Sequence, residues 1–175
     1  EHAIDVERLA IGGDSCGANL SVATCLHLRD AGEAGAIRAM VLNYGAFTVE
    51  CSADACRRYG GPEYMLGCEE MAQYWRNYMR SDADAREPLV CPLLARLEGL
   101  PPAFLAIAQC DILAEQSAAM AERLRAAGVP THSVVYPGAS HSFIEAMSIA
   151  AVSARALAEA SAWLSGELRG KRQVA

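Results

Sequence analysis

The residues best suited to chemistry form the pentapeptide Gly13-Asp14-Ser15-Cys16-Gly17, which matches the pattern G-x-S-x-G. The motif directly follows a predicted strand and opens a predicted helix, which is the context of a nucleophile elbow. So tight a turn needs small flanking residues and strains the serine backbone. It would raise the Ser15 hydroxyl above the sheet edge and aim the Cys16 N–H at a developing oxyanion. The alternative is a glycine-rich turn in which Ser15 is a plain helix N-cap.

A serine hydroxyl is a poor nucleophile without a base, so the four histidines are the next candidates. His2 precedes the first predicted strand, His27 lies within a predicted helix, and His132 begins the fourth predicted strand. His141 follows that fourth strand, which places it at the same carboxyl edge of the sheet as Ser15. We therefore predict that His141 is the general base. The alternative is an ordinary residue in a loop before a helix.

A carboxylate is needed to hold the histidine tautomer and to stabilise the imidazolium. Asp111 ends the third predicted strand, and Glu115, one turn later, is the reserve candidate. Asp111 could instead serve only as the N-cap of the next helix. Ser15, Asp111 and His141 follow three separate strands and stand in the chain order of α/β-hydrolase triads. This agreement is much more specific than the pentapeptide alone.

Short apolar runs alternate with stretches of helical periodicity, which predicts an α/β fold with a mostly parallel sheet. The predicted strands are residues 8–12, 39–43, 103–108 and 132–136, and the predicted helices are residues 19–29, 115–127 and 143–168. Residues 46–92 interrupt the alternation and contain an amphipathic helix near residues 69–79. An insertion of this length is typical of a cap or lid. We predict one domain over residues 1–175, with this insertion as its cap.

The composition excludes several classes of protein. With 53% apolar residues, the 175-residue chain can bury a core, which argues against a disordered protein. The net charge of −6 argues against a nucleic-acid partner, because binding phosphates requires a basic surface. No apolar run of about 18 residues predicts a membrane span, and the first residues do not resemble a secretory signal. We therefore expect a cytoplasmic protein.

The cysteines and histidines do not predict a metal or cofactor site. The cysteine count of seven is odd and no CxxC occurs, so we expect reduced, mostly buried thiols. The histidines are scattered without the spacing of zinc ligands. Asp14 also stands where a dinucleotide fingerprint requires its second glycine. We expect neither a metal nor a cofactor.

Beyond the elbow, several further segments resemble one family. Residues 8–20 look like a G-D-S-A-G-G-N-L elbow, and residues 91–94, 99–103 and 110–111 look like S-P-L-L, G-L-P-P and C-D-P-L segments. His141-Ser142-Phe143 looks like an H-G-F or H-S-F triad segment. On these motifs the chain resembles the hormone-sensitive-lipase-like branch of the α/β-hydrolase carboxylesterases.

The resemblance implies roles for the three candidate residues. Ser15 would be the nucleophile, Asp111 the orienting acid and His141 the general base, with the Cys16 N–H in the oxyanion hole. The implied reaction is hydrolysis of short-chain acyl esters, which are small-molecule substrates, through an acyl-enzyme. The residues of the insertion would contribute to a cap over the acyl pocket, and no cofactor is implied.

The chain departs from this family by an absence. Members carry an H-G-G run well before the serine, which supplies other oxyanion N–H groups, and about four strands precede their elbow. The chain therefore resembles the C-terminal half of the fold, with its first strand exposed as a site for self-association. One alternative to an esterase is a non-catalytic remnant or binding module of the same fold. Another is a hormone-receptor-like binder, which His141 argues against because such receptors lack the triad histidine.

Overall fold

Four parallel strands form one sheet in the order β1-β2-β3-β4, with helices packed against it. The computed structural model describes residues 5–169, so His2 lies outside the described residues. The strands are β1 (Ala10–Asp14), β2 (Ala39–Asn43), β3 (Ala103–Cys110) and β4 (Thr131–Ser140). The helices are α1 (Cys16–Asp30), α2 (Ala53–Tyr59), α3 (Cys68–Tyr78), α4 (Ala114–Ala126) and α5 (Ala151–Arg169), with 3₁₀ turns at Asp82–Arg86, Pro92–Leu94 and Phe143–Ala146. The predicted parallel α/β architecture is confirmed.

The central strand β3 is covered on both faces, which explains its unbroken apolar sequence. Leu105 and Ile107 belong to the core that packs against α1 and α4. Phe104 and Ala106, which alternate with them, belong to the core beneath α5. Side chains of a strand point alternately to opposite faces, so a single strand supplies both cores.

The first strand differs from its prediction in position and in burial. The sequence predicts a buried strand over residues 8–12, whereas β1 runs from Ala10 to Asp14 and its residues are exposed or partly buried. Within residues 5–169, β1 pairs with β2 alone, so its other edge carries no neighbouring strand. The predicted edge position is therefore present in the structure.

The predicted helix over residues 143–168 is wrong over residues 143–150. Phe143–Ala146 forms a separate 3₁₀ turn, and α5 begins only at Ala151. Phe143 and Ile144 are buried in the core beneath α5, and the Ser153 hydroxyl donates a hydrogen bond to the Phe143 carbonyl at 2.5 Å. These contacts fix the segment against the sheet, so it cannot continue as one straight helix.

The insertion (residues 46–92) contains two α-helices rather than the single predicted one. Its apolar side packs Leu66, Met71 and Trp75 against Ile112 and Leu113. Across residues 5–169, no helix has both the length and the apolarity that crossing a bilayer requires.

A disulfide joins Cys56 of α2 to Cys68 of α3, whose Cα atoms are 5.9 Å apart. The expectation that all thiols are reduced is therefore wrong for these two cysteines. The count and spacing of cysteines could not show it, because the pairing depends on two helices whose ends meet only in the folded insertion.

The elbow depends on close contact between β1 and α1, and this gives a first prediction. A Cβ atom at Gly13 would lie 2.5 Å from the Gly17 carbonyl carbon, whereas a Cβ at Gly17 would meet nothing within 4 Å. We expect Gly13→Ala to lower the free energy of unfolding by about 1–3 kcal/mol, as overpacking does. The matched control, Gly17→Ala, should be neutral or stabilise by up to about 1 kcal/mol because it removes a helical glycine. Equal urea midpoints for the two variants would contradict the close approach.

Candidate active site

Ser15 is the single residue between the end of β1 and the start of α1. Its backbone is at φ 55° and ψ −113°, a strained conformation for a residue with a side chain. The Ser15 N–H donates to the Asn43 carbonyl at 2.9 Å, and the Ser15 carbonyl accepts from Ala18 N–H at 3.1 Å. Its side chain makes no capping hydrogen bond to α1, so the plain N-cap alternative does not describe it.

Asp111 and His141 form a buried hydrogen-bonded pair. Asp111 Oδ2 lies 2.7 Å from His141 Nδ1, and the side chains are 1% and 10% exposed. The second carboxylate oxygen accepts from the Leu113 N–H at 2.9 Å. An ionised carboxylate only accepts hydrogen bonds, so an imidazole bound to it donates from Nδ1. In the neutral tautomer, this leaves the lone pair on Nε2.

The alternatives for this pair are resolved by position. The N-cap of α4 is Leu113, so Asp111 is not the capping residue itself. Glu115, the reserve acid, is exposed on the first turn of α4. Of the other histidines, His27 is exposed, and His132 is exposed with its ring stacked on Phe104.

Ser15, Asp111 and His141 follow the carboxyl ends of β1, β3 and β4, at one edge of the sheet. The structure brings Asp111 and His141 into direct contact. Within residues 5–169, no hydrogen bond joins the Ser15 hydroxyl to His141, and β2 and β3 lie between their strands. Cys16, the predicted oxyanion residue, is exposed at the first position of α1.

Tyr44 is a site residue that the sequence analysis missed. It follows β2 at φ 37°, is 1% exposed, and packs its ring against the His141 imidazole at 5.1 Å between centroids. Its hydroxyl donates to Asp14 Oδ2 at 2.8 Å, and Asn43 Nδ2 donates to Asp14 Oδ1 at 2.8 Å. Burial, followed by the Asp14 carboxylate, raises the pKa of Tyr44 above its usual range. In the sequence, the only signal for Tyr44 is its place directly after a predicted strand.

A nearby cysteine is not a competing nucleophile. Burial, reinforced by the Asp111 charge, raises the pKa of the Cys51 thiol to about 11, so it stays protonated at neutral pH. Among the residues that the structure describes, no group of three or more metal-ligating side chains is assembled.

Two buried amide side chains anchor the insertion beside the site. Asn19 Nδ2 donates to the carbonyls of Ala46 and Val90, at 2.7 and 3.0 Å, near the two ends of the insertion. Gln116 Oε1 accepts from the N–H groups of Phe47 and Thr48, at 2.9 and 3.1 Å. Gln116 Nε2 also donates to the Glu50 carbonyl at 2.8 Å. Asn19 lies one turn after Ser15, and Gln116 lies five residues after Asp111. Their hydrogen bonds therefore connect the insertion to the segments that carry Ser15 and Asp111.

Comparison with known proteins agrees with this geometry. A family model described as the alpha/beta hydrolase fold matches residues 1–145, and the chain belongs to that family. An ethyl acetate hydrolase of Pseudomonas putida is 34% identical over 147 residues, 83% of this chain and 46% of that protein. An acetyl esterase of Salmonella paratyphi A is 34% identical over 146 residues, 82% of this chain and 45% of that protein.

A solved structure of a carboxylesterase also resembles this chain. A thermophilic and thermostable carboxylesterase cloned from a metagenomic library matches with a TM-score of 0.90 and 28% identity, over 95% of this chain and 57% of that one. The resemblance to the hormone-sensitive-lipase-like carboxylesterases is confirmed. The chain spans about half the length of the relatives it matches.

The Gln116 anchor gives a second prediction. We expect Gln116→Leu to leave the Phe47 and Thr48 N–H groups without an acceptor and to lower the free energy of unfolding by about 1–3 kcal/mol. Hydrogen exchange at those two amides should accelerate. Gln73→Leu is the control, because Gln73 is exposed on α3 and its loss should cost less than about 0.5 kcal/mol. Unchanged exchange at Phe47 and Thr48 would show that Gln116 does not anchor the insertion.

Proposed function

We propose that this chain carries the nucleophile, base and orienting acid of a serine carboxylesterase that hydrolyses small esters of short acyl groups. The observation that carries the proposal is the buried 2.7 Å contact between Asp111 and His141, at the sheet edge where the strained Ser15 elbow lies. The names of the relatives, ethyl acetate hydrolase and acetyl esterase, support an acetyl ester as the substrate class.

The proposed reaction has two halves. Ser15 Oγ attacks the ester carbonyl carbon while His141 Nε2 accepts its proton, and Asp111 stabilises the imidazolium that forms. The tetrahedral intermediate collapses, the C–O bond to the alcohol breaks, and His141 returns the proton to the leaving oxygen. Water then attacks the acyl-enzyme with His141 again as base, which releases the carboxylic acid and restores Ser15.

The oxyanion of each intermediate needs several hydrogen-bond donors. The proposed donor in this chain is the Cys16 N–H, at the positive end of the α1 dipole. Further donors would come from an H-G-G loop like that of the family, which the sequence lacks ahead of Ser15. We propose that a segment bearing such a loop pairs with the open edge of β1.

The exposed β1 edge is also consistent with two alternatives, self-association and a non-catalytic remnant. A second copy of the chain could pair at this edge, which would be self-association, and an unpaired chain would be a non-catalytic remnant or binding module. The remnant retains the Asp111–His141 pair but lacks a complete oxyanion hole. Activity with and without the complementary segment distinguishes these cases.

Replacing Ser15 and Asp111 tests the proposed triad. Ser15→Ala should abolish both fluorophosphonate labelling and ester turnover in whichever assembly is active. Asp111→Asn should reduce kcat by about 10⁴-fold, because an amide favours the wrong imidazole tautomer. Ser161→Ala, at an exposed position of α5, is the matched control and should label like the parent. If Ser15→Ala hydrolysed p-nitrophenyl acetate at the parental rate, the nucleophile would be another residue.

Adding the missing donors tests the oxyanion proposal. Supplying the N-terminal portion of an esterase relative, with its H-G-G run, should raise kcat on the order of 10²–10³-fold over the chain alone. The same portion with H-A-A in place of H-G-G is the control and should bind without this increase. Sedimentation of the chain alone and of the mixture reports whether β1 pairs with the added portion or with a second copy. A bound portion that restores no turnover would favour the remnant.

A further inference from the structure

One side chain contacts both ends of the proposed catalytic arrangement. Tyr44 leaves the end of β2, which lies between the strand of Ser15 and the strands of Asp111 and His141. Its hydroxyl bonds to Asp14, the residue immediately before Ser15, at 2.8 Å. Its ring and the His141 imidazole form a T-shaped pair, with centroids 5.1 Å apart and an interplanar angle of 65°. Tyr44 therefore connects the elbow to the base across the sheet.

Asp14 is exposed, but its carboxylate holds this contact with two hydrogen bonds. Its two oxygens accept from Tyr44 and from Asn43, each at 2.8 Å, and hydrogen bonds to a charged acceptor are stronger than neutral ones. The backbones of Asp14 and Asn43 are also partners in the register of β1 and β2. The steric demands of the elbow fall on Gly13 and do not explain a carboxylate at position 14.

His141 needs a second contact to be fixed in orientation. Its hydrogen bond to Asp111 holds the Nδ1 atom, but one hydrogen bond leaves the ring free to tilt around that atom. The Tyr44 ring supplies the second contact and is itself packed by Phe143 at 5.7 Å. The positive φ of Tyr44 is a strained backbone conformation, which persists only where the surroundings hold the residue in place.

We propose that Tyr44, anchored by Asp14, is a positioning residue that sets the orientation of the His141 imidazole relative to Ser15. This inference rests on the proposed function of Ser15, Asp111 and His141. Tyr44 exchanges no proton in this role, since its hydroxyl remains the donor to Asp14. The pair acts as one unit, so removing either partner should release the same constraint.

The experiment compares Tyr44→Phe, Asp14→Ala and the double variant in the assembly that turns over ester. Each single variant should lower kcat about 10- to 100-fold through misplacement of the base, and KM should change by less than about twofold. The double variant should be no worse than the more impaired single one, because both remove the same interaction. Independent, multiplying effects, or kcat values equal to the parent, would overturn the proposal.

Tyr136→Phe is the matched control. Tyr136 is also fully buried and donates to a carboxylate, Glu159, at 2.7 Å, and its ring packs on Phe143. Within residues 5–169, its ring contacts Phe143 and the Arg155 guanidinium but not His141. Tyr136→Phe should therefore lower stability about as much as Tyr44→Phe while leaving kcat unchanged. A comparable loss of kcat in Tyr136→Phe would reduce Tyr44 to an ordinary core residue.

A second measurement does not depend on turnover. The NMR resonances of the His141 ring protons should shift in Asp14→Ala, where the Tyr44 ring remains but loses its anchor, and stay in place in Tyr136→Phe. Unmoved resonances in Asp14→Ala would overturn the positioning role even if no assembly were active. Turnover that survives in Ser15→Ala would instead refute the proposed function, while the His141 shifts would still decide the role of Tyr44.

Discussion

A buried carboxylate is the constraint from which much of this structure follows. The Asp111 side chain is 1% exposed, and a charge removed from water must be compensated by hydrogen bonds. One oxygen is satisfied by the Leu113 N–H, which fixes the turn that begins α4, and the other by His141. The second bond holds the end of β4 at the site, so the chain must turn there before it can form α5. One buried carboxylate thus joins the start of α4 to the residue that follows β4.

Backbone strain is gathered at the same edge of the sheet. Within residues 5–169, the residues other than glycine that have positive φ are Ser15, Tyr44 and Ser142. They follow β1, β2 and β4 by at most two residues. Such conformations persist only where surrounding packing determines them, and functional sites are where they cluster. The two cores on either face of β3 supply that packing, so the rigid part of the molecule maintains the strained part.

The sequence predicts the architecture better than it predicts the tertiary contacts. The strand over residues 39–43 is found where predicted, because an apolar run between polar turns is a local signal. The prediction for β1 ends two residues early, because Gly12 and Gly13 indicate a turn, whereas Gly13 stays in the strand to let α1 approach. The Cys56–Cys68 bond and the break before α5 arise from tertiary contacts, which have no local pattern.

The same difference between local signals and tertiary contacts holds for the candidate site. A motif and a chain order select Ser15, Asp111 and His141, since each follows a strand and carries chemistry that the others need. Tyr44 has no motif, because its role comes from two neighbours that the fold brings to it from other strands. Asp14 is inside the motif, yet its partner could not be inferred from spacing. Residues that act on substrate are therefore easier to predict than those that position them.

The open edge of β1 divides the proposed chemistry between two parts. The groups that would orient the base lie within the described chain, since Asp111 and Tyr44 both contact His141. The groups that would stabilise the oxyanion do not, apart from the Cys16 N–H. Proton transfer depends on how the base is oriented, and the two contacts to His141 bear on that orientation. Stabilising a developing charge depends on converging donors, and these must come from both sides of the nucleophile. In the proposed enzyme, residues of this chain would orient the base, whereas charge stabilisation would also need donors from a segment that pairs with β1.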